Sequence, residues 1–174
     1  MKNIVLIGMP SSGKSTVGVL LAKRLGLQFI DTDLLLQQKT GSLLHETIAT
    51  KGHDAFLALE NSLCADLAVT NTVIATGGSV VYGKEAMEHL RAIGHVVYLK
   101  ISYDTLTKRL GDYVHRGVVL REGMTLLDLY RERTALYEKY ADIVIDEETC
   151  AGGLGETLEK TVLCCANLRD NHEK

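Results

Sequence analysis

Short apolar runs alternate with longer amphipathic stretches along most of this chain. The apolar runs are continuous rather than alternating in polarity, which is typical of strands buried on both faces. The amphipathic stretches favour helices, and the first of these helices is expected to stop at Gly26. The predicted strands are 4–7, 27–30, 73–75, 95–99 and 143–145. The predicted helices are 14–25, 33–38, 43–51, 54–69, 84–93, 102–110, 125–140 and 154–168.

This alternation predicts an α/β fold in which helices cover both faces of a parallel sheet. No internal repeat or low-complexity linker divides the 174 residues, so we expect a single domain spanning 1–174. The helix at 54–69 has an apolar face that we expect in the core, formed by Phe56, Leu59, Leu63 and Leu67. The segment 111–123 has three Gly and no clear period, which is typical of a lid, a binding loop or disorder.

Composition excludes several classes of protein. The 19 basic and 22 acidic residues give a net charge of -3, whereas proteins that bind nucleic acid usually carry a basic excess. The four Cys form no CxxC pair and the His lack zinc-ligand spacing, so we expect reduced thiols. The apolar run at 4–7 is too short for a signal peptide or a membrane span. We therefore expect a cytoplasmic protein without nucleic-acid or membrane partners.

The strongest motif occupies residues 8–15, Gly-Met-Pro-Ser-Ser-Gly-Lys-Ser, and matches the phosphate-binding pattern G-x-x-x-x-G-K-[ST]. A buried strand precedes it and a helix follows, as this pattern requires. Its glycines allow the backbone N–H groups to approach phosphate oxygens, Lys14 supplies a cation for the β- and γ-phosphates, and Ser15 supplies a hydroxyl for Mg²⁺. The residues expected to bind the nucleotide here are Gly8, Ser11, Ser12, Gly13, Lys14, Ser15 and Thr16.

A phosphate-binding loop alone is compatible with an ATPase, a GTPase, a kinase or a switch protein. The guanine-specific NKxD motif is absent, which argues against a GTPase. Asp31 and Asp33 follow the second predicted strand, where both carboxylates should face the same crevice as the loop. They could organise Mg²⁺ and accept a proton from an attacking hydroxyl; alternatively they form a helix-capping turn, with Asp33 as the cap. The amides of 75–79 should face this crevice too, unless the segment is an ordinary turn.

Several motifs together resemble the shikimate kinases, in their order along the chain and over about residues 3–146. They are the 8–15 loop, Asp31-Thr32-Asp33, Phe56-x-x-x-Glu60, Ala75-Thr76-Gly77-Gly78, Val96-Val97-Tyr98-Leu99 and Arg133-x-x-Leu136-Tyr137. The resemblance implies a nucleoside-monophosphate-kinase-like fold with five parallel strands in the order 2-3-1-4-5 and a mobile lid. It also implies an ATP- and Mg²⁺-dependent transfer of phosphate to a small hydroxylated molecule. We expect a monomer.

The resemblance implies roles for individual residues on the acceptor side. Asp33 would orient, and deprotonate, the hydroxyl that is phosphorylated. Gly78, together with Gly77, would offer backbone amides to the acceptor. Arg133 would pair with the substrate carboxylate, and Glu60 belongs to the same subsite.

On the nucleotide side, Ser15 would bind Mg²⁺ directly and Asp31 would hold it through water. Arg109 matches the residue that stacks on adenine. Arg116 matches a lid arginine that reaches the transferring phosphate. The catalytic residues would then be Lys14, Asp33 and Arg116.

The sequence departs from the family pattern at three places. The family has an arginine that contacts the substrate carboxylate where this chain has Leu57, so Glu60, one helical turn away on roughly the same face, loses its partner. Ser79 replaces a third glycine, and Gly117 replaces the proline after the lid arginine. Three hypotheses stay open: a shikimate kinase, a same-fold kinase of another hydroxylated acid, amino acid or polyol, and a nucleotide-binding protein without turnover.

Overall fold

A computed structural model of this protein describes residues 2–111, 118, 120, 121, 123–150 and 152–170. Its strands are β1 (Asn3–Ile7), β2 (Gln28–Asp31), β3 (Thr72–Ala75), β4 (Gly94–Lys100) and β5 (Ile143–Asp146). Its α-helices are α1 (Lys14–Leu25), α2 (Thr32–Thr40), α3 (Leu44–Lys51), α4 (His53–Ala65), α5 (Lys84–Ile93), α6 (Tyr103–Leu110), α7 (Leu126–Tyr140) and α8 (Leu154–Asp170). Short 3₁₀ turns occupy Val80–Tyr82 and Glu147–Thr149.

The five strands form one parallel sheet in the order β2-β3-β1-β4-β5, which confirms the order that the family resemblance implies. Strand β1 lies at the centre and is buried along its whole length, as its continuous apolar run predicts. Successive side chains of β1 enter opposite cores: Val5 and Ile7 belong to one cluster, and Ile4 and Leu6 to the other. Helices therefore cover both faces, and the phosphate-binding loop begins at the carboxyl edge of the most buried strand.

Helix α4 differs from its predicted form. It ends at Ala65, four residues before the predicted end, and Leu67 lies beyond it. The buried residues of the helix are Phe56, Glu60, Leu63 and Cys64. Leu59, predicted for the core, is only partly buried. The buried face of α4 is therefore rotated relative to the predicted apolar face. It contains the carboxylate of Glu60, whereas hydrophobicity alone predicts Leu59 there.

Along the described part of the chain, no helix combines the length and the apolar character needed to cross a membrane.

Candidate active site

The loop between β1 and α1 has a backbone that only its particular residues allow. Gly8 and Gly13 have φ angles of +149° and +85°, a region that side chains disfavour. A Cβ atom on Gly8 would lie 2.6 Å from the carbonyl oxygen of Leu99. Ser11 also has a positive φ, of +65°. The loop therefore has the strained, open shape that lets backbone N–H groups surround a phosphate.

Lys14 is buried inside this loop. Its ammonium donates hydrogen bonds to the carbonyl oxygens of Gly8, at 2.8 Å, and Met9, at 2.9 Å. Burial lowers the pKa of Lys14 to about 8, although the nearby carboxylates of Asp33 and Asp31 oppose the shift. These two carbonyl groups hold the cation at the loop, where the anionic oxygens of a phosphate would stabilise its charge.

Ser15 and Asp31 form the oxygen pair that could hold Mg²⁺. The Ser15 hydroxyl donates to Asp31 Oδ2 at 2.6 Å. The described residues contain no cluster of three or more His, Cys, Asp or Glu fit for a metal. This donor set nevertheless fits Mg²⁺, which binds oxygen, keeps several waters and takes further ligands from substrate phosphates.

Asp31, not Asp33, caps helix α2. Asp31 Oδ1 accepts from the backbone N–H groups of Asp33, at 2.9 Å, and Leu34, at 3.4 Å. The expectation that Asp33 could be the cap is therefore wrong, because Asp33 already lies in the first turn of the helix. Its side chain is left to face the cleft.

A cleft of about 420 Å³ joins the two halves of the predicted site. It brings together the phosphate-binding loop and the acceptor-side residues that the resemblance implied: Asp33, Glu60, Gly77, Gly78 and Arg133. The residues come from α2, α4, α7 and the segment after β3, so they meet only at the carboxyl edge of the sheet.

Two carboxylates flank Gly77, that of the buried Glu60 and that of the half-buried Asp33. A Cβ atom there would collide with Glu60 Oε1 and lie 2.7 Å from Asp33 Oδ1. Burial, and secondarily Asp31, raise the pKa of Asp33 to about 6, with Lys14 opposing. Burial raises the pKa of Glu60 to about 7, although Ser79 donates to its Oε2 at 2.6 Å. Glycine at this position leaves space into which both carboxylates project.

Arg133 contributes its guanidinium group to the cleft. It is 3% exposed, and its Nε has no hydrogen-bond partner among the described residues. The guanidinium carbon lies 5.3 Å from the centre of the Tyr82 ring. A buried cation with donors to spare is suited to an anionic group of a ligand.

The segment 76–79 is fixed from two sides. Tyr137, one turn after Arg133 on α7, donates its hydroxyl to the carbonyl oxygen of Gly78 at 2.6 Å. The Thr32 hydroxyl accepts from the Gly77 N–H at 3.2 Å. Sequence reasoning assigned no site role to the side chains of Tyr137 and Ser79. The i, i+4 spacing of Arg133 and Tyr137 was a signal that both lie on the same face of α7. Nothing in the sequence showed that Ser79 reaches Glu60.

Arg109 lies beside the phosphate-binding loop. It donates to Glu147 Oε2 at 2.8 Å and to the carbonyl oxygen of Ser11 at 3.5 Å. Arg116 and most of the predicted lid at 111–123 lie outside the described residues.

Leu57 and Glu60 line different hollows. The half-buried side chain of Leu57 lines a separate hollow, with Asn61 and Tyr82 among the lining residues, whereas Glu60 lines the cleft. Three residues along a helix turn through about 300°, so the two side chains are offset by about 60° around α4, on roughly the same face, and line different hollows.

Comparison with known proteins decides the family. The sequence model of the shikimate kinase family matches residues 10–159. A shikimate kinase 2 from Yersinia pseudotuberculosis (serotype O:3, strain YPIII) is 34% identical over 152 residues, covering 83% of this chain and 86% of that protein. This chain belongs to the shikimate kinase family. It is a P-loop kinase, a phosphotransferase with an alcohol acceptor that uses ATP and Mg²⁺.

Solved structures of shikimate kinases agree with this assignment. One from Acinetobacter baumannii, in complex with shikimate, has a TM-score of 0.86 and 29% identity, covering 96% of this chain and 94% of that one. One from Aquifex aeolicus has a TM-score of 0.81 and 30% identity, covering 96% and 98%. A gluconokinase from Sinorhizobium meliloti, at 20% identity and a TM-score of 0.64, shows the shared fold alone.

Proposed function

We propose that this chain transfers the γ-phosphoryl group of ATP to a hydroxyl of shikimate. The observation that carries the proposal is the single cleft in which Lys14, Asp33 and Arg133 meet. Each meets one need of this reaction: charge stabilisation on phosphate, proton removal from the acceptor, and binding of a carboxylate.

The chemistry follows from these positions. The acceptor oxygen attacks the γ-phosphorus, the bond from that phosphorus to the ADP oxygen breaks, and the hydroxyl proton passes to an Asp33 carboxylate oxygen. The Lys14 ammonium and the loop N–H groups stabilise charge on the phosphate oxygens. Mg²⁺, which Ser15 and Asp31 would hold, neutralises phosphate charge when bound.

The acceptor-binding role of Arg133 rests on its burial and its free donor. A guanidinium shielded from water gains more from a carboxylate than an exposed one does. The Gly77 and Gly78 segment adds backbone groups beside it, at a place where Pro10 leaves no space for a larger residue: a Cβ atom on Gly78 would lie 2.8 Å from Pro10 Cδ.

A second candidate is a kinase of another small hydroxylated acid, amino acid or polyol. It is favoured by one observation: Leu57 lines its own hollow, so Arg133 is the one guanidinium among the described residues that line the cleft. A non-catalytic nucleotide binder is disfavoured by Asp33, since ATP binding alone has no need of an acceptor-side carboxylate.

The remaining expectations belong to the same proposal. The whole chain, 1–174, acts as one kinase domain, monomeric and cytoplasmic, with 111–123 as its lid and Arg116 reaching the transferring phosphate. Arg109 forms part of the adenine site. Its contacts with Glu147 and Ser11, beside the phosphate-binding loop, support that position.

The test is an ADP-release assay with ATP, Mg²⁺ and a panel of shikimate, other hydroxylated acids, amino acids and polyols. We expect shikimate to give the highest kcat/KM, and Lys14→Ala to abolish release while the far-ultraviolet circular dichroism stays unchanged. Lys100→Ala, which removes a partly exposed lysine paired with Glu138, is the matched control. Turnover of another panel member with none of shikimate would establish the second candidate, and wild-type-like turnover by folded Lys14→Ala would refute phosphoryl transfer at this loop.

A further inference from the structure

Glu147 is a carboxylate held beside the phosphate-binding loop with one oxygen unpaired. Its side chain is 7% exposed. Its Oε2 accepts from Arg109 at 2.8 Å, whereas its Oε1 has no hydrogen-bond partner among the described residues. Burial raises the pKa of Glu147, although Arg109 opposes the shift. A buried acceptor without a donor is costly, so this oxygen calls for a donor that a ligand brings.

The surroundings of Oε1 combine three kinds of group at one edge of the loop. Oε1 lies 3.9 Å from the position that a Cβ atom on Gly13, the residue before α1, would take. Leu154, 44% exposed at the start of α8, lies 3.8 Å from the same position. Arg109 of α6 donates to the carbonyl oxygen of Ser11 at 3.5 Å. An unpaired carboxylate oxygen, an exposed apolar side chain and a planar guanidinium therefore lie together next to the loop.

This combination suits a purine base. A guanidinium and an apolar side chain pack against the flat faces of a base, whereas a carboxylate accepts only from a donor on the edge of the ring. Adenine has one such donor, its 6-amino group, because the unsubstituted ring nitrogens are acceptors. The 6-amino group is therefore the part of ATP that best satisfies an unpaired carboxylate oxygen beside the base.

We propose that Glu147 determines the base specificity of the phosphate donor: its Oε1 accepts a hydrogen bond from the 6-amino group of adenine, while Oε2 stays paired with Arg109. This inference rests on the proposed function, which places adenine beside Arg109. It assigns the group that distinguishes ATP from nucleotides with a carbonyl at the same position of the base. In those nucleotides a carbonyl oxygen would face the carboxylate oxygen, and two acceptors repel each other.

The backbone around Glu147 is fixed, as a specificity-determining residue requires. Asp146 caps the short 3₁₀ turn that Glu147 begins, since its Oδ1 accepts from the Glu148 N–H at 3.0 Å. The side chain of Glu148 accepts from the Thr105 hydroxyl at 2.7 Å. Thr105 lies in the first turn of α6, the helix that carries Arg109. The turn and the helix are thus tied together, and the carboxylate of Glu147 is held from both.

The first experiment compares three nucleoside diphosphates that differ only in the base. Calorimetry gives the Kd of ADP, of IDP, which has a carbonyl in place of the 6-amino group, and of purine riboside diphosphate, which has hydrogen there. Mg²⁺ is present and the acceptor is absent. We expect the wild type to bind ADP about 10- to 100-fold more tightly than purine riboside diphosphate, because a hydrogen bond to a charged group is lost. IDP should bind no more tightly than purine riboside diphosphate.

The second experiment repeats these measurements with Glu147→Gln. The glutamine oxygen should stay with Arg109, which only donates, so the amide N–H groups face the base. The preference for ADP over purine riboside diphosphate should fall to within about threefold. The preference for ADP over IDP should fall further, because the new N–H donates to the carbonyl of IDP. Glu159→Gln, in an exposed pair with Arg24, is the matched control and should leave both preferences unchanged.

A further set of probes separates the base from the sugar. The ribose hydroxyls also donate hydrogen bonds, so the Kd values of 2′-deoxy-ADP and 3′-deoxy-ADP are measured with both proteins. Glu147→Gln should weaken the binding of these nucleotides by the same factor as the binding of ADP. An effect that disappears with either deoxy nucleotide would assign Oε1 to the sugar and overturn the proposal.

The outcomes separate this inference from the proposed function. Equal binding of ADP and purine riboside diphosphate by the wild type would overturn the inference, even if shikimate is phosphorylated. Equal weakening of both by Glu147→Gln would also overturn it, since a merely structural effect does not depend on the 6-amino group. If the nucleotides show the expected preferences and shikimate is not phosphorylated, the proposed function alone fails. Absence of ADP binding by the wild type would overturn both.

Discussion

Four ionisable side chains meet in the cleft: Lys14, Asp33, Glu60 and Arg133. Each would be costly to bury alone, and each is made tolerable by the opposite charges nearby. The balance is incomplete, because burial still raises the pKa of both carboxylates and lowers that of Lys14. Groups whose pKa values are shifted toward 7 suit proton transfer. The phosphate and carboxylate groups of ligands would supply counter-charges for Lys14 and Arg133.

Asp33→Asn should separate catalysis from nucleotide binding. The amide keeps the shape of the side chain but cannot accept the proton, and general-base catalysis contributes about 10²- to 10⁴-fold. Because Asp31, not Asp33, caps α2, the variant should keep its helix and its stability. We expect kcat to fall by that factor with the KM for ATP within about threefold. An equal loss of ATP affinity would place Asp33 in the nucleotide site instead.

Leu57→Arg should improve use of shikimate. The new guanidinium would start from the hollow beside Tyr82 and extend toward Glu60, one turn along α4. A charge-assisted hydrogen bond to the acceptor carboxylate contributes about 1.5–3 kcal/mol, or one to two decades in KM. Leu57→Met, of similar length without charge, is the control. A KM for shikimate equal in both variants would show that position 57 does not reach the acceptor.

At the scale of elements, the segment 76–79 joins the two halves of the site. It follows β3 and lies against Pro10 of the phosphate-binding loop on one side and Arg133 of α7 on the other. Its glycines allow this close approach, and the Tyr137 hydroxyl ties it to α7. A shift of α7 would therefore move Arg133 and the acceptor-binding backbone together.

Tyr137→Phe should loosen this connection without disturbing the nucleotide. Loss of the hydrogen bond to Gly78 should lower the free energy of unfolding by about 0.5–1.5 kcal/mol and leave a buried carbonyl unpaired. We expect the KM for the acceptor to rise more than the KM for ATP. Tyr130→Phe is a matched control, since Tyr130 lies on the same helix and donates to the carbonyl of Ile101 at 2.9 Å. Identical kinetic changes in both variants would argue against a special role for Tyr137.

The sequence predicted the helices and strands more completely than the contacts between them. The limits of α1 and α5 and the location of all five strands followed from apolar periodicity and glycine stops. The early end of α4 was missed, as was the burial of Glu60 in place of Leu59, because periodicity counts a carboxylate as a surface residue. The capping role of Asp31 and the Ser79–Glu60 bond depend on side-chain directions, which spacing does not specify.

At the scale of the molecule, the topology of the sheet places the site residues at one edge. Strand β1 delivers the phosphate-binding loop, and its neighbour β3 delivers the acceptor-binding glycines to the same edge. The next strand, β2, ends in Asp31, and the helix after it carries Asp33. Parallel strands bring all of their carboxyl ends to one side, so residues far apart in sequence share one electrostatic environment.

This shared environment predicts a bell-shaped dependence of kcat/KM on pH. Asp33 must be ionised to accept a proton, so activity should rise as pH increases through its pKa of about 6. Glu60, with a pKa of about 7, should steepen this limb through acceptor binding. Lys14 must be protonated, so activity should fall as pH increases through about 8. Because these groups interact, the measured values belong to the cluster rather than to single residues.

Saturating ATP should change one limb of this profile. Bound phosphates stabilise the charged form of Lys14 and raise its pKa, so the alkaline limb of kcat should lie at higher pH than that of kcat/KM for ATP. The measurement is a set of initial rates from about pH 5 to pH 10 at constant ionic strength, with ATP varied at each pH. Glu60→Gln should leave the alkaline limb in place and make the acid limb less steep. An alkaline limb at the same pH in kcat and kcat/KM would show that the titrating cation does not touch the nucleotide, and would remove Lys14 from that role.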